Sequence, residues 1–310
     1  MLRISELIWN ATMTHWGRQN VLIRWRRWKL RTFTDYGSGH AAVYRVRGGR
    51  RFVAHPGDAL SGYISDRSCC DPLESQAIEC VLKPGDVAVD VGANIGWFTA
   101  LCSSCVGPEG RVLALEPGPA TFAKLQQTIE LLGLRNVEAS AIALADRPGF
   151  QSLIVSTSGA DAYQSLVDWD GFPGSKIAAK VEVLTLDDFL DQSQLLGRTP
   201  AFVKCDVEGA EAKILAGGSR LLQSASPPLL MVEINRKALA AQRSGANELL
   251  AMLREYRTYF TPLDSGATIM QALKSADQLP EIANVLAFPE RGVYAARIMA
   301  AARFLSDGGD

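Results

Sequence analysis

Val87-Ala88-Val89-Asp90-Val91-Gly92-Ala93-Asn94-Ile95-Gly96 is the stretch on which the fold turns. Its first half is a short β-branched run, the pattern of a strand buried on both faces. The run ends in an acid and enters a glycine turn that opens a helix. Glycine permits the tight turn and lets backbone approach a ligand closely. Amides at the start of the next helix then face that ligand. The pattern predicts a nucleotide-like cofactor, but the spacing D-x-G-x-N-x-G is not the G-x-G-x-x-G of a dinucleotide site. Asp90 stands two residues before the first glycine. There a carboxylate repels a pyrophosphate and suits a sulfonium cation that also carries an ammonium group.

Outward from this stretch, short apolar runs alternate with helical ones, which predicts a parallel sheet with crossover helices. Strands are expected at 86–91, 111–116, 137–142, 201–206, 229–234, 256–261 and 284–288. Helices fit between most of them, including Ala120–Gly133 and Gly209–Leu222. Glu116 ends the second strand, 20 residues after Gly96. An acid at that place can accept both ribose hydroxyls. An insertion, 147–200, carries two β-like runs, Gln151–Ser156 and Lys180–Leu184, joined by a Gly/Ser/Asp/aromatic stretch over 157–175.

The chain has 310 residues and 47% apolar composition, enough for one large core and a smaller appended piece. With 21% charged residues and a net charge of −1, it reads neither as disordered nor as a nucleic-acid binder. Arg3, Glu6, Asn10 and Thr12 interrupt any signal-peptide core, so a cytoplasmic location is expected. The six cysteines are scattered; Cys102-x-x-Cys105 lies on the first core helix and reads as helix packing. Charge is uneven: residues 1–51 carry 11 Lys/Arg against Glu6 and Asp35, or +9, leaving −10 on the rest. Residues 2–31 read as a helix, with Trp25 and Trp28 on one stripe and Arg24, Arg27 and Arg31 on another. Such a helix docks on the body by its tryptophans, or its basic residues 18–31 meet an anionic membrane or a partner. A hairpin is expected over 42–54 around Gly48-Gly49, and a helix over Pro72–Leu82.

The chain resembles the FkbM-type methyltransferases, which are class I S-adenosylmethionine enzymes. The matching stretches are Asp90-Val-Gly-Ala-Asn-Ile-Gly96, Leu115-Glu-Pro-Gly-Pro119, Ala143-Leu-Ala-Asp146, Thr185-Leu-Asp-Asp-Phe189 and Val203-Lys-Cys-Asp-Val-Glu-Gly-Ala-Glu211, with Leu230-Met-Val-Glu233 and Asn284-Val-Leu-Ala287. They appear in order over about residues 80–290. Ala145 replaces the family's usual glycine after the third strand. The resemblance implies a doubly wound, seven-stranded, mostly parallel Rossmann-like α/β sheet. Residues 1–80 would form a substrate- or partner-facing extension, and 81–310 the methyltransferase domain. It further implies O-methylation, often of a sugar or natural-product hydroxyl, with S-adenosylhomocysteine as product.

On this reading Asp90, Gly92, Ala93, Asn94 and Gly96 hold the methionine part of the cofactor. Glu116 and Pro117 hold the ribose, and Asp146 sits near the adenine. Asp206 ends the fourth core strand, nearest the methyl group, and Glu233 ends the fifth. Asp206, with Glu208 or Glu233, orients and deprotonates the acceptor. Lys204 pairs with one of these acids. The same three carboxylates suit Mg²⁺, but each has another use, and no metal is assigned. Asp187-Asp188 begins a helix. Of the three histidines, His55 is nearest the core and reads as a surface residue at the hairpin end. Tyr163, Trp169 and Phe172 in the 157–175 loop, with segment 55–72, stack on the acceptor or pack the loop down. A nicotinamide-dependent oxidoreductase and a non-catalytic cofactor-binding partner are the competing readings.

Overall fold

The computed structural model describes residues 41–46, 50–67, 70–156, 164–166, 175–195, 197–262 and 269–307. Outside them lie the basic arm 18–31, His15, His40, Gly48-Gly49, and most of the 157–175 loop with Tyr163, Trp169 and Phe172. Contacts divide the chain into two compact units, Met1–Cys70 and Asp71–Asp310.

In the first unit, β1 (Ala42–Arg45) and β2 (Arg51–Ala54) pair antiparallel, as the hairpin reading required, and α1 (Ala59–Arg67) follows. Asp58 caps α1 by accepting the Ser61 amide at 2.7 Å. His55 is buried, not the surface residue expected, because the α1 entry folds over it and its amide donates to Ser61 Oγ at 2.9 Å.

The second unit opens with α2 (Pro72–Val81), β3 (Val87–Val91), α3 (Trp97–Val106), β4 (Arg111–Leu115), α4 (Pro119–Leu132) and β5 (Val137–Ser140). β6 (Ala143–Leu144) precedes the insertion, which supplies β7 (Gly149–Ser156), β8 (Gln164–Ser165) and β9 (Ser175–Leu184), then α5 (Leu186–Gln192). The second half runs β10 (Phe202–Cys205), α6 (Glu211–Gly217), α7 (Ser219–Leu222), β11 (Leu229–Asn235), α8 (Arg236–Ala241), α9 (Ala246–Met252), β12 (Tyr256–Pro262), β13 (Gln271–Ala272), β14 (Ile282–Pro289) and α10 (Ala295–Asp307).

Eight strands form the main sheet in the order β13-β12-β14-β11-β10-β3-β4-β5. From β5 across to β11 all neighbours are parallel, and β14 runs against both β11 and β12. All seven expected strands are present. The two-residue edge strand β13 is an eighth, too short to leave a periodic signal. β3 and β10 are buried along their whole length, as crossover helices on both faces require. The helix expected over Gly209–Leu222 is two helices broken at Gly218, where a Cβ would meet Leu186 Cδ2 at 2.7 Å. The three strands of the insertion join β6 in a separate four-stranded sheet, β6-β9-β7-β8, around Ala143, Ala145, Leu153, Val181 and Val183.

The connectivity fixes where a ligand belongs. From β3 the chain winds through β4 to β5, then returns as β10 on the opposite flank of β3. Strand order reverses between β3 and β10, and the crevice beyond their carboxyl ends is the binding position of open α/β sheets.

Candidate active site

At that crevice the turn after β3 is held by the end of β4. Leu115 O accepts the amides of Gly92 (3.0 Å) and Ala93 (2.9 Å). Glu116 continues the clamp: Oε2 accepts the Asn94 amide at 3.0 Å and Oε1 the Gly118 amide at 2.9 Å. Gly92 has φ 78°, and a Cβ there would lie 1.9 Å from Asp206 O. The residue must therefore be glycine, because the loops after β3 and β10 meet at it. Asn94 takes φ 51°, a left-handed conformation that asparagine tolerates, and Gly96 caps α3.

Lys204 on β10 joins the two loops. In register it sits between Asp90 on β3 and Met231 on β11. Its ammonium donates to Gly92 O at 3.0 Å and lies 3.1 Å from Asp206 Oδ2 and 3.6 Å from Asp90 Oδ1. The Phe98 ring centroid is 5.5 Å away. Burial works against this charge, but Asp206 and Asp90 more than offset it and raise its pKa above the usual lysine value. Asp90 is fully buried, and its Oδ2 accepts from Thr99 Oγ1 at 2.6 Å. Asp90 is thus turned inward onto a resident cation, whereas the sequence reading aimed it at a cationic ligand. Two carboxylates share one ammonium, which leaves one negative charge unbalanced. Asp206, with 37% of its side chain exposed, carries that charge to the crevice.

Behind Asp206 the acids crowd. Glu208, with φ 57°, is pushed up to about 8 by burial and by the neighbouring Asp206 and Glu211; Asn235 Nδ2 donates to its Oε2 at 3.4 Å. Glu233 is raised well above its ordinary range by burial, then by Asp206 and Glu208, and its buried Oε2 has no hydrogen-bond partner. Burial lifts Glu116 to about 7 against the opposing pull of the Gly118 and Asn94 amides. Among the described residues, no three His, Cys, Asp or Glu side chains are grouped to hold a metal ion.

The fold brings Asp90, Gly92, Ala93, Asn94, Gly96, Glu116 and Pro117 together around one turn, and sets Asp206, Glu208 and Glu233 beside it. Asp146 follows β6, is exposed and pairs with Arg147 at 3.3 Å. Three further polar residues continue the row beyond Glu233. Asn284 is its register partner on β14 and Thr261 the next on β12, and Thr261 Oγ1 hydrogen-bonds to buried Glu74 of α2. Asn284 opens one of the matching stretches, but no local motif marks Thr261 or Glu74, because elements distant in sequence place the three side by side. Glu211 was likewise given no role, although an acid in the first turn of a helix is a signal that sequence alone can show.

The fit to a cationic nucleoside cofactor rests on these groups. Asn94 Oδ1 is a buried acceptor without a hydrogen-bond partner. Glu116 has used two of about four lone-pair sites, so capacity for ribose hydroxyls remains. Residues 90–259 match the family described as "Methyltransferase FkbM domain". Over 147 residues the chain is 34% identical to "Methyltransferase 1" of Beauveria bassiana, covering 42% of this chain and 57% of that relative. Over 153 residues it is 29% identical to "Hexuronic acid methyltransferase AglP" of Haloferax volcanii, covering 48% and 56%. The chain thus spans little more than half the length of these curated relatives. An O-methyltransferase structure from Thermotoga maritima aligns over 83% of this chain and 80% of that one, with TM-score 0.41 and 13% identity.

Proposed function

The chain belongs to the FkbM methyltransferase family, and we propose that it transfers a methyl group from S-adenosylmethionine to a hydroxyl of a sugar or natural-product-like acceptor. Membership sets aside the nicotinamide oxidoreductase that the glycine turn alone left open. The observation that carries the proposal is the Lys204–Asp206 pair at 3.1 Å, which fixes a partly exposed carboxylate against the Gly92 turn. The cofactor, when bound, supplies an electrophilic methyl carbon on a sulfonium. Gly92, Ala93, Asn94 and Gly96 would hold its methionine part, with Asp90 anchoring Lys204 beneath the turn, and Glu116 with Pro117 would hold its ribose. Asp146 is kept for the adenine.

The chain's own groups then do three things. Asp206 orients the acceptor hydroxyl toward the methyl carbon, held in place by Lys204. Glu208, whose carboxyl titrates at about 8, matches a base that works near neutral pH and takes the hydroxyl proton as oxygen bonds to carbon. Glu233, held protonated, donates a hydrogen bond to a second oxygen of the acceptor. The name of the Haloferax relative supports a sugar-like acceptor.

The test is transfer of labelled methyl from S-adenosylmethionine to a panel of neutral sugars, uronic acids and natural-product alcohols. Transfer to at least one hydroxyl is expected, and Asp206→Asn should lower it about 100-fold. Cofactor binding without transfer to any member would favour a non-catalytic partner.

A further inference from the structure

Between the site's acids and the sheet lies a carboxyl that the mechanism above does not use. Glu211 opens α6 and is fully buried. Its Oε1 accepts two backbone amides of the preceding loop, Val207 and Gly209, both at 3.1 Å. Its Oε2 is buried and has no hydrogen-bond partner. These amides bracket Glu208 in the turn Val207-Glu208-Gly209, which directly follows Asp206 and holds Glu208 in a left-handed backbone conformation. A non-glycine residue there is strained and persists only where its surroundings hold it.

We propose that Glu211 is a positioning residue. Its carboxyl acts as a two-amide brace that holds Glu208 and the turn after Asp206 in place. As a like charge in the same buried cluster, it also bears on the ionisation of Glu208. The groups that face it are Asp206 and Glu208 from the loop, Glu233 from β11 and the Cys205 thiol from β10, with Lys204 beyond Asp206. Glu208 and Glu233 both feel Glu211 as a like charge that disfavours their ionised forms. The idea rests on the reading of Asp206 and Glu208 as acceptor-facing acids, but its brace is measurable without any acceptor.

Amide hydrogen exchange on the intact chain tests the brace. In Glu211→Ala the amides of Val207 and Gly209 should lose about tenfold or more in protection, while Asp206, bonded to Val91 O in the sheet, keeps its own. Glu211→Gln still offers a carbonyl oxygen to both amides and should restore most of the protection. A carbon-13 titration of side-chain carboxyls reads the charge effect: in Glu211→Gln the Glu208 carboxyl should titrate at lower pH than in the wild type. Unchanged exchange at both amides in Glu211→Ala would overturn the brace. An unshifted Glu208 in Glu211→Gln would overturn the electrostatic part. If Glu211→Ala fails to fold, Glu211→Leu, which fills much of the same space but accepts no hydrogen bond, takes its place: lost protection at both amides supports the brace, and wild-type protection overturns it.

Discussion

Lys204 shows most clearly what a residue's sequence position hides. The sequence places it one strand-face step from Asp206, and register adds Asp90, but only the fold shows one buried ammonium shared by both carboxylates and a carbonyl. Removing it leaves Asp90 charged, buried and without a cation. Lys204→Met should therefore cost about 3–5 kcal/mol in chemical denaturation; a loss below about 1 kcal/mol would mean that the pair contributes little. Gly92→Ala is expected to abolish cofactor binding and to destabilise the chain, since the added methyl would overlap Asp206 O and the backbone at φ 78° disfavours it. Wild-type affinity in that variant would show that the two loops do not meet at Gly92. The candidate acids were legible because each ends a strand or opens a turn within a short motif. Their environment was not, because burial and the Glu116 grip on Asn94, 22 residues away, are long-range facts.

At the scale of elements, periodicity located every core strand. Val87–Val91 and Phe202–Cys205 are apolar runs that only a sheet covered on both faces can bury. Helix ends were less legible. Asp187-Asp188 does lie in the first turn of a helix, but the cap is Thr185, whose Oγ1 accepts the Asp188 amide at 3.0 Å. Asp187 instead reaches across to α7 and accepts the amides of Arg220 and Leu221 at 2.8 and 3.1 Å. Thr185→Ala should cost about 1 kcal/mol, read from the denaturation midpoint, and Asp187→Ala should loosen the start of α7 with no effect on α5. The break at Gly218 did have a local signal, Gly217-Gly218, through which the expected helix ran.

Across the whole molecule, buried carboxyls give folding an unusual pH dependence. Glu74, Glu116 and Glu211 titrate at about 7 and Glu208 at about 8, each lifted from 4.5 first by burial. The unfolded chain gives up these protons near 4.5, and the folded one keeps them until 7 or 8. In that window the native state binds more protons, so stability falls as pH rises. Glu255, exposed and lowered by its Arg291 partner, acts below the window and in the opposite sense. Without cofactor, thermal unfolding should come about 5 °C or more higher at pH 5.5 than at pH 8; Glu74→Gln should flatten the slope. A rise in stability toward pH 8 would contradict the burial of these groups in their charged-disfavouring sites.

The most direct test of the central claim is calorimetric titration with S-adenosylmethionine, run beside NADH and repeated on Glu116→Ala. The structure predicts ~micromolar binding of S-adenosylmethionine, weakened about tenfold or more by the substitution, or about 1.4 kcal/mol, and no binding of NADH. Equal affinity in Glu116→Ala, or NADH bound in place of S-adenosylmethionine, would contradict a cofactor site at the carboxyl ends of β3 and β4.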